Sequence, residues 1–148
     1  MTALRIESFH DEYRFLSNFF RVSVRYEGIT FPTVEHAYQA AKTVDEAERW
    51  KFAELKSPGQ AKRRGRKTAI RADWESVKVQ VMSELVRQKF FRHEELAEML
   101  LATEEAELVE GNTWGDRFWG VCEGVGQNWL GRILMTVRGE LRERLAHV

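Results

Sequence analysis

The stretch from Trp74 to Arg92 constrains the fold more than any other. It carries one apolar stripe at Trp74, Val77, Val81 and Leu85 and a neighbouring one at Val79, Met82, Val86 and Phe90, each at the three- and four-residue spacing of an α-helix. So wide an apolar face must be covered from more than one side, which predicts a central, mostly buried helix. A second long helix is expected to start at Asn128 as its N-cap, with Leu130, Ile133, Leu134, Val137, Leu141 and Leu145 along one side.

Around these two, shorter elements are legible. Arg21 to Tyr26, then Glu27-Gly28, then Ile29-Thr30-Phe31 alternate and turn like a β-hairpin that Pro32 is expected to end. Thr33 is a plausible N-cap for a helix through about Val44, and further helical patterns cover roughly Glu46 to Lys56, Gly59 to Arg66 and Glu94 to Ala102. Ala106 to Val109 reads as a short strand, and Gly111 to Gly126 is rich in glycine and aromatics with no steady period. Only two prolines, no Ser/Gly-rich linker and no internal repeat interrupt the chain. The expectation is one α+β domain over residues 1–148, predominantly helical with a small β-sheet.

Several function classes are set aside by composition. No stretch approaches the roughly 18 uncharged apolar residues of a membrane span, and the segment Met1-Thr2-Ala3-Leu4-Arg5 lacks the apolar core of a secretory signal. With Cys122 the only cysteine and four scattered histidines, neither an intrachain disulfide nor a metal-ligand spacing is present. A cytoplasmic protein without metal or redox cofactor is expected. The 23 basic and 23 acidic residues cancel, but Lys62, Arg63, Arg64, Arg66, Lys67 and Arg71 occur with no acidic residue among them, whereas Glu94 to Glu110 is acidic. A chain without net charge is a poor candidate for tight nonspecific DNA binding, so a small phosphorylated ligand fits the basic run better.

Four constellations bear on chemistry, each with a bland alternative beside it. On the helix after Thr33, about 100° per residue places Glu35, Gln39 and Lys42 opposite Val34, Ala37, Ala41 and Val44. Glu35 and Lys42 are about 10 Å apart in rise, suited to gripping one ligand, although spacing alone favours a solvated polar face. Trp114-Gly115-Asp116 and Phe118-Trp119-Gly120 put two indoles in an irregular loop, where each needs burial or a planar ligand; Trp119 is read as roofing the core. Asp116 suits either a general acid/base with a raised pKa or a turn cap. Asn18 in Ser17-Asn18-Phe19-Phe20 suits a ligand contact or a turn, while Gly126 to Gly131 opens the last helix for an anion or simply for close packing. Cys122 reads as a small buried hydrophobe.

Taken in order, Phe15-Leu16-Ser17-Asn18-Phe19, Phe31-Pro32-Thr33-Val34-Glu35-His36-Ala37-Tyr38-Gln39-Ala40-Ala41-Lys42, Ser57-Pro58, Ala61-Lys62 to Gly65-Arg66, Trp74, Met82, Lys89-Phe90, Leu100 to Thr103, Leu108-Val109-Glu110, Trp114-Gly115-Asp116, Asn128, Leu130-Gly131, Leu134-Met135 and Arg138 resemble the NADAR, or YbiA-like, family from Phe15 to Arg138. The resemblance implies a helix-rich α+β fold and an N-glycosidase, a hydrolase of ribosyl–nitrogen bonds. Its members are associated with the phosphoribosylamino-pyrimidine intermediates of riboflavin biosynthesis, and others with removing ADP-ribose from guanine. It implies functional positions at Glu35, Lys42, Trp74, Trp114 and Asp116, with Asn18 and the basic segment, Lys62 and Arg66 included, as ligand contacts. Gln127, where many members carry a basic residue, and the bulky Phe118-Trp119 depart from the pattern.

The expected activity is cleavage of the bond between C1 of a phosphorylated ribose and a nitrogen of the base. Lys42 is the candidate nucleophile through a Schiff base, a role the family suggests. An ordinary lysine, with a pKa of about 10.4, would need burial or nearby cations to serve. Glu35 would hold ribose hydroxyls or orient water, Asp116 would move the proton, and Trp114 would stack on the base. The alternatives are an ADP-ribosyl-guanine hydrolase acting on ADP-ribosylated DNA and, from another class, a non-catalytic nucleotide- or ADP-ribose-binding module.

Overall fold

A computed structural model describes residues 4–147. Among them are six α-helices and three two-stranded sheets, the predominantly helical α+β class that the patterning predicts. The chain forms two compact units: Asn18–Lys89, and the N-terminal segment through Ser17 together with everything from Phe90 onward.

In the Asn18–Lys89 unit the hairpin forms as expected. Strands β2 (Arg21–Tyr26) and β3 (Ile29–Thr33) pair antiparallel, with Tyr26 opposite Ile29 and Arg21 opposite Thr33. The turn residues Glu27 and Gly28 both have positive φ, which the right-handed twist of a two-residue hairpin demands. Pro32 does not end β3. It lies where the register slips between Arg21 and Val24, and a bulge tolerates a residue without an N–H.

Helix α1 (Val34–Ala40) follows without a break, because the Thr33 hydroxyl accepts from the His36 N–H at 3.1 Å. It is shorter than the expected span to Val44. The Asp45 carboxylate accepts from the N–H groups of Ala47 and Glu48 and so caps α2 (Glu46–Ala53), and the Thr43 hydroxyl accepts from Asp45 N–H. The chain must leave helical geometry to reach that cap. Ser57 caps α3 (Pro58–Gly65) by accepting from Gln60 N–H at 3.2 Å, with proline in the first turn.

Helix α1 packs on α2, α3 and β3. A further anchor is His36, whose Nε2 donates to the Leu55 carbonyl at 3.0 Å while Nδ1 meets the Thr33 hydroxyl at 2.7 Å. A carbonyl can only accept, so Nε2 carries a proton, and burial, the main cause, lowers the pKa of the ring and favours its neutral form.

Helix α4 (Trp74–Phe91) forms over the double stripe and buries most of it. Trp74, Val81, Met82, Leu85, Val86 and Phe90 are buried, and Val77 and Val79 partly so. Its Gln88 side chain satisfies both backbone groups of Arg25 on β2, accepting at 2.6 Å and donating at 2.9 Å, which closes part of an otherwise open sheet edge.

Lys89 on the same helix is fully buried over the Phe20 ring, and burial lowers its pKa to about 7. An unfolded lysine titrates near 10.4, so between the two values the unfolded chain binds the extra proton and stability rises with pH. The contribution from pH 7 to 9 is about 2 kcal/mol. Urea unfolding at the two pH values should show this rise in the wild type and lose most of it in Lys89→Met. An equal rise in the variant would place the titrating group elsewhere.

In the other unit, β1 (Arg5–Ile6) pairs parallel with β4 (Glu107–Leu108), the core of the strand expected over Ala106 to Val109. A 3₁₀ helix covers Asp11–Leu16, α5 covers Glu94–Leu101, and β5 (Gly111–Asn112) pairs parallel with β6 (Val121–Cys122).

Helix α6 (Trp129–Ala146) begins where expected, but Asn128 is not a side-chain cap. It adopts a left-handed conformation, and its amide bridges to the chain around β4, accepting from Glu110 N–H at 3.0 Å and donating to the Leu108 carbonyl at 2.9 Å. Gly131 completes this contact, since a Cβ there would lie 2.0 Å from the Leu108 oxygen. The apolar side of α6 is buried through Leu141, whereas Leu145, near its end, is exposed.

Candidate functional site

Six of the eight residues singled out from the sequence, Asn18, Glu35, Lys42, Lys62, Arg66 and Trp74, fall in the Asn18–Lys89 unit, and Trp114 and Asp116 fall in the other. In the first, α1 supplies the acid. Glu35 occupies its first turn, where the helix dipole favours a carboxylate, and its N–H donates to the Asn18 carbonyl at 3.1 Å.

The polar stripe of α1 is not a solvated face. Glu35 is only 8% exposed and Gln39 only 4%, and the two are joined by a hydrogen bond of 2.6 Å from Gln39 Nε2 to Glu35 Oε2. Burial of a carboxylate requires such a partner.

Lys42 lies in the turn after α1 and not on the helix itself. Its N–H still reaches back to the Gln39 carbonyl at 3.2 Å, and its own carbonyl accepts from Arg71 N–H at 2.7 Å, so the backbone is held on both sides. The Lys42 ammonium stands 5.8 Å from the centre of the Tyr38 ring. That ring packs against Trp74, with centroids 5.2 Å apart and planes at 53°, so an aromatic wall borders the amine.

Burial is the main cause that pushes the Lys42 pKa below its ordinary value. Arg66, Lys78 and Lys62 add to the lowering, and Glu35 opposes it. Two members of the basic segment, Lys62 and Arg66, thus act on Lys42 through their charge. Lys78 was not singled out. It lies four residues after Trp74, hence on the same side of α4, and pairs with Glu75 at 2.7 Å. Its partial burial is set by the packing of α4 and leaves no mark in the local sequence.

Two other members of the basic run are spoken for: Arg64 pairs with Glu48 at 2.8 Å and Arg71 with Asp73 at 2.6 Å. The Asn18 side chain is buried and donates to the Met82 sulfur at 3.5 Å. Trp74 is buried, which accommodates both of its readings, core residue and wall.

In the other unit, Asp116 caps a turn. Its Oδ1 accepts from the N–H groups of Phe118 and Trp119 at 3.1 and 2.9 Å, and Asn112 brackets its backbone through Asp116 N–H at 3.0 Å and the carbonyl at 2.8 Å. Trp114 is 56% exposed. Trp119 is partly buried with Phe118 edge-on at 4.9 Å, and Phe118 stacks on Trp129 at 6.3 Å. Gln127, the other departure from the family pattern, accepts from the Trp129 indole N–H at 3.0 Å. Cys122 is buried, as its apolar reading requires.

The family model described as the NADAR domain matches residues 6–142. The chain is 44% identical over 148 residues to N-glycosidase YbiA of Escherichia coli (strain K12), covering 98% of this chain and 89% of that protein. It is 41% identical over 136 residues to a riboflavin biosynthesis protein of Vibrio vulnificus (strain YJ016), covering 90% of this chain and 37% of that one. The NMR structure of the E. coli protein YbiA superposes with a TM-score of 0.86 at 40% identity, covering 99% of this chain and 89% of that one.

Proposed function

The chain belongs to the NADAR family, and from that premise we propose that it is an N-glycosidase that hydrolyses the ribosyl C1–nitrogen bond of phosphorylated ribosylamino-pyrimidines of the riboflavin pathway. The observation that carries the reading is the Lys42 amine, made less basic by burial and three neighbouring cations, beside the buried carboxylate of Glu35 and the Tyr38–Trp74 wall. Burial and those cations favour the unprotonated amine, which is the nucleophilic form.

The steps balance without a further reagent. The base nitrogen pushes open the ribose ring, the C1–O4′ bond breaks, and the ring oxygen takes a proton. The Lys42 lone pair then forms a bond to C1. The leaving nitrogen takes a proton and departs with the electrons of its bond to C1, leaving an imine between Lys42 and the open sugar. Water adds to C1, the C1–Nζ bond breaks, and ribose phosphate and free amine are released.

Glu35 is proposed to move protons or orient that water. Lys62, Arg66 and Lys78 would favour the phosphate, and they weaken Lys42's hold on its own proton. Asn18 and Trp74 are proposed as contacts to sugar and base, Trp114 as a stacking surface and Asp116 as a proton carrier; for the last two the support is the Trp-Gly-Asp motif. The carboxylates of Glu48 and Asp73, paired with Arg64 and Arg71, neutralise part of the basic run, which favours a small phosphorylated substrate over ADP-ribosylated DNA. No described helix is long and apolar enough to cross a membrane, and we assign the work to the cytoplasm.

Purified protein is expected to release ribose 5-phosphate from a phosphoribosylamino-pyrimidine in EDTA, since no three described His, Cys, Asp or Glu residues cluster to hold a metal. Mass spectrometry of sugar and base reads the result. Release from ADP-ribosylated guanine alone would transfer the reading to the DNA-linked substrate, and binding of both without release would make the chain a binding module.

A further inference from the structure

The amide of Gln39 is held in an arrangement that packing does not require. Its Nε2 donates to Glu35 Oε2 at 2.6 Å, while its Oε1 is buried with no hydrogen-bond partner. A buried, unsatisfied acceptor is costly, and a leucine or methionine would fill the same space without one. Room for that oxygen is made by α3: a Cβ on residue 65 would lie 1.8 Å from Gln39 Oε1, so any larger residue there would push the amide aside. The main-chain carbonyl of Gln39 accepts the Lys42 N–H at 3.2 Å. One side chain therefore touches the acid, and its backbone touches the amine-bearing residue.

We infer that Gln39 is the positioning residue for Glu35: its amide fixes one carboxylate oxygen, and the proton and water chemistry falls to the other. An ionised carboxylate only accepts hydrogen bonds, so the amide must present its nitrogen and leave its oxygen facing Gly65. Turning it over would set two oxygens against each other. The fixed donor also favours the charged form of Glu35, the form that can take a proton from water.

The inference rests on the N-glycosidase reading for its kinetic consequences and on the hydrogen bond alone for its titration consequence, so the two are tested separately. Gln39→Met removes the donor at similar volume, Gln39→Glu adds a second carboxyl that must share a proton with Glu35, and Gly65→Ala displaces the amide without changing either partner. Turnover of Gln39→Met is expected to fall ten- to a hundredfold with KM changed less than threefold, and Gly65→Ala to follow it. In Gln39→Glu the acid limb of the kcat profile should move up by at least one pH unit. Wild-type kcat and an unmoved pH profile in folded Gln39→Met and Gln39→Glu would overturn the inference, as would a loss confined to KM.

Independently of turnover, ¹³C NMR of the Glu35 carboxyl should show it titrating at higher pH in both Gln39 variants than in the wild type. An unchanged midpoint overturns the positioning role even if the wild-type protein proves inactive on the substrate, an outcome that would sink the N-glycosidase reading instead.

Discussion

Lys42→Arg is expected to lower turnover by about a thousandfold or more, the range seen when a nucleophile is removed, while substrate is still bound. Arginine keeps the positive charge but stays protonated at any working pH and cannot form the imine. In the wild type, borohydride added during turnover should reduce that imine and fix the sugar on the peptide containing Lys42.

The rate should also rise with pH to a plateau reached below the range of an ordinary lysine. The amine works unprotonated, and burial, Arg66, Lys78 and Lys62 all make it shed its proton sooner. Near-normal turnover by Lys42→Arg, or an adduct on a different lysine, would remove the covalent route. It would leave Glu35 with an activated water, as in inverting glycosidases.

Elements with a repeating local pattern could be read from the sequence. Helix α4 announces itself through two stripes at helical spacing, and β2–β3 through alternation around a turn that needs positive φ. The strand around β4 could be read, but its parallel partner β1 could not: β1 has two residues, too few for any period to show, and a pairing between distant segments leaves no trace in either one. Helix ends were misplaced where a neighbouring cap competes, as Asp45 does with the end of α1. Asn128 sits at the start of α6 as expected, but its amide serves tertiary bonds to Glu110 and Leu108 that only the folded chain supplies.

The family motifs name the residues of the candidate site, while the sequence says much less about their surroundings. Spacing placed Glu35 and Gln39 on a polar stripe, and a polar stripe ordinarily faces water. Here α2, α3 and β3 enclose α1 on several sides, and the glycine at position 65 opens the space that Gln39 fills. Nothing local in the sequence marks that enclosure. Lys78 and Lys89 share this history: each is a charged residue beside an apolar stripe, and only tertiary packing decides that one faces Lys42's surroundings and the other is wholly buried.

Glu35→Gln should lower kcat by about a hundred- to ten-thousandfold, the usual worth of a positioned acid or base. The substitution keeps the shape and removes the ability to exchange a proton near neutrality. It also carries a second, diagnostic effect. Among the described residues, the Glu35 carboxylate is the one charge acting on Lys42 that strengthens the amine's hold on its proton. Removing it leaves only burial and the three cations, all of which lower the pKa, so the rising limb of the pH–rate profile should move to lower pH in the variant. If Glu35 directs the water that breaks the imine, the sugar adduct should also accumulate, and borohydride should trap more of it per enzyme than in the wild type. Fast turnover with an unmoved limb would mean that the carboxylate neither exchanges protons with the substrate nor feels the Lys42 charge. Slow turnover with less adduct would assign Glu35 to the formation of the imine and not to its hydrolysis.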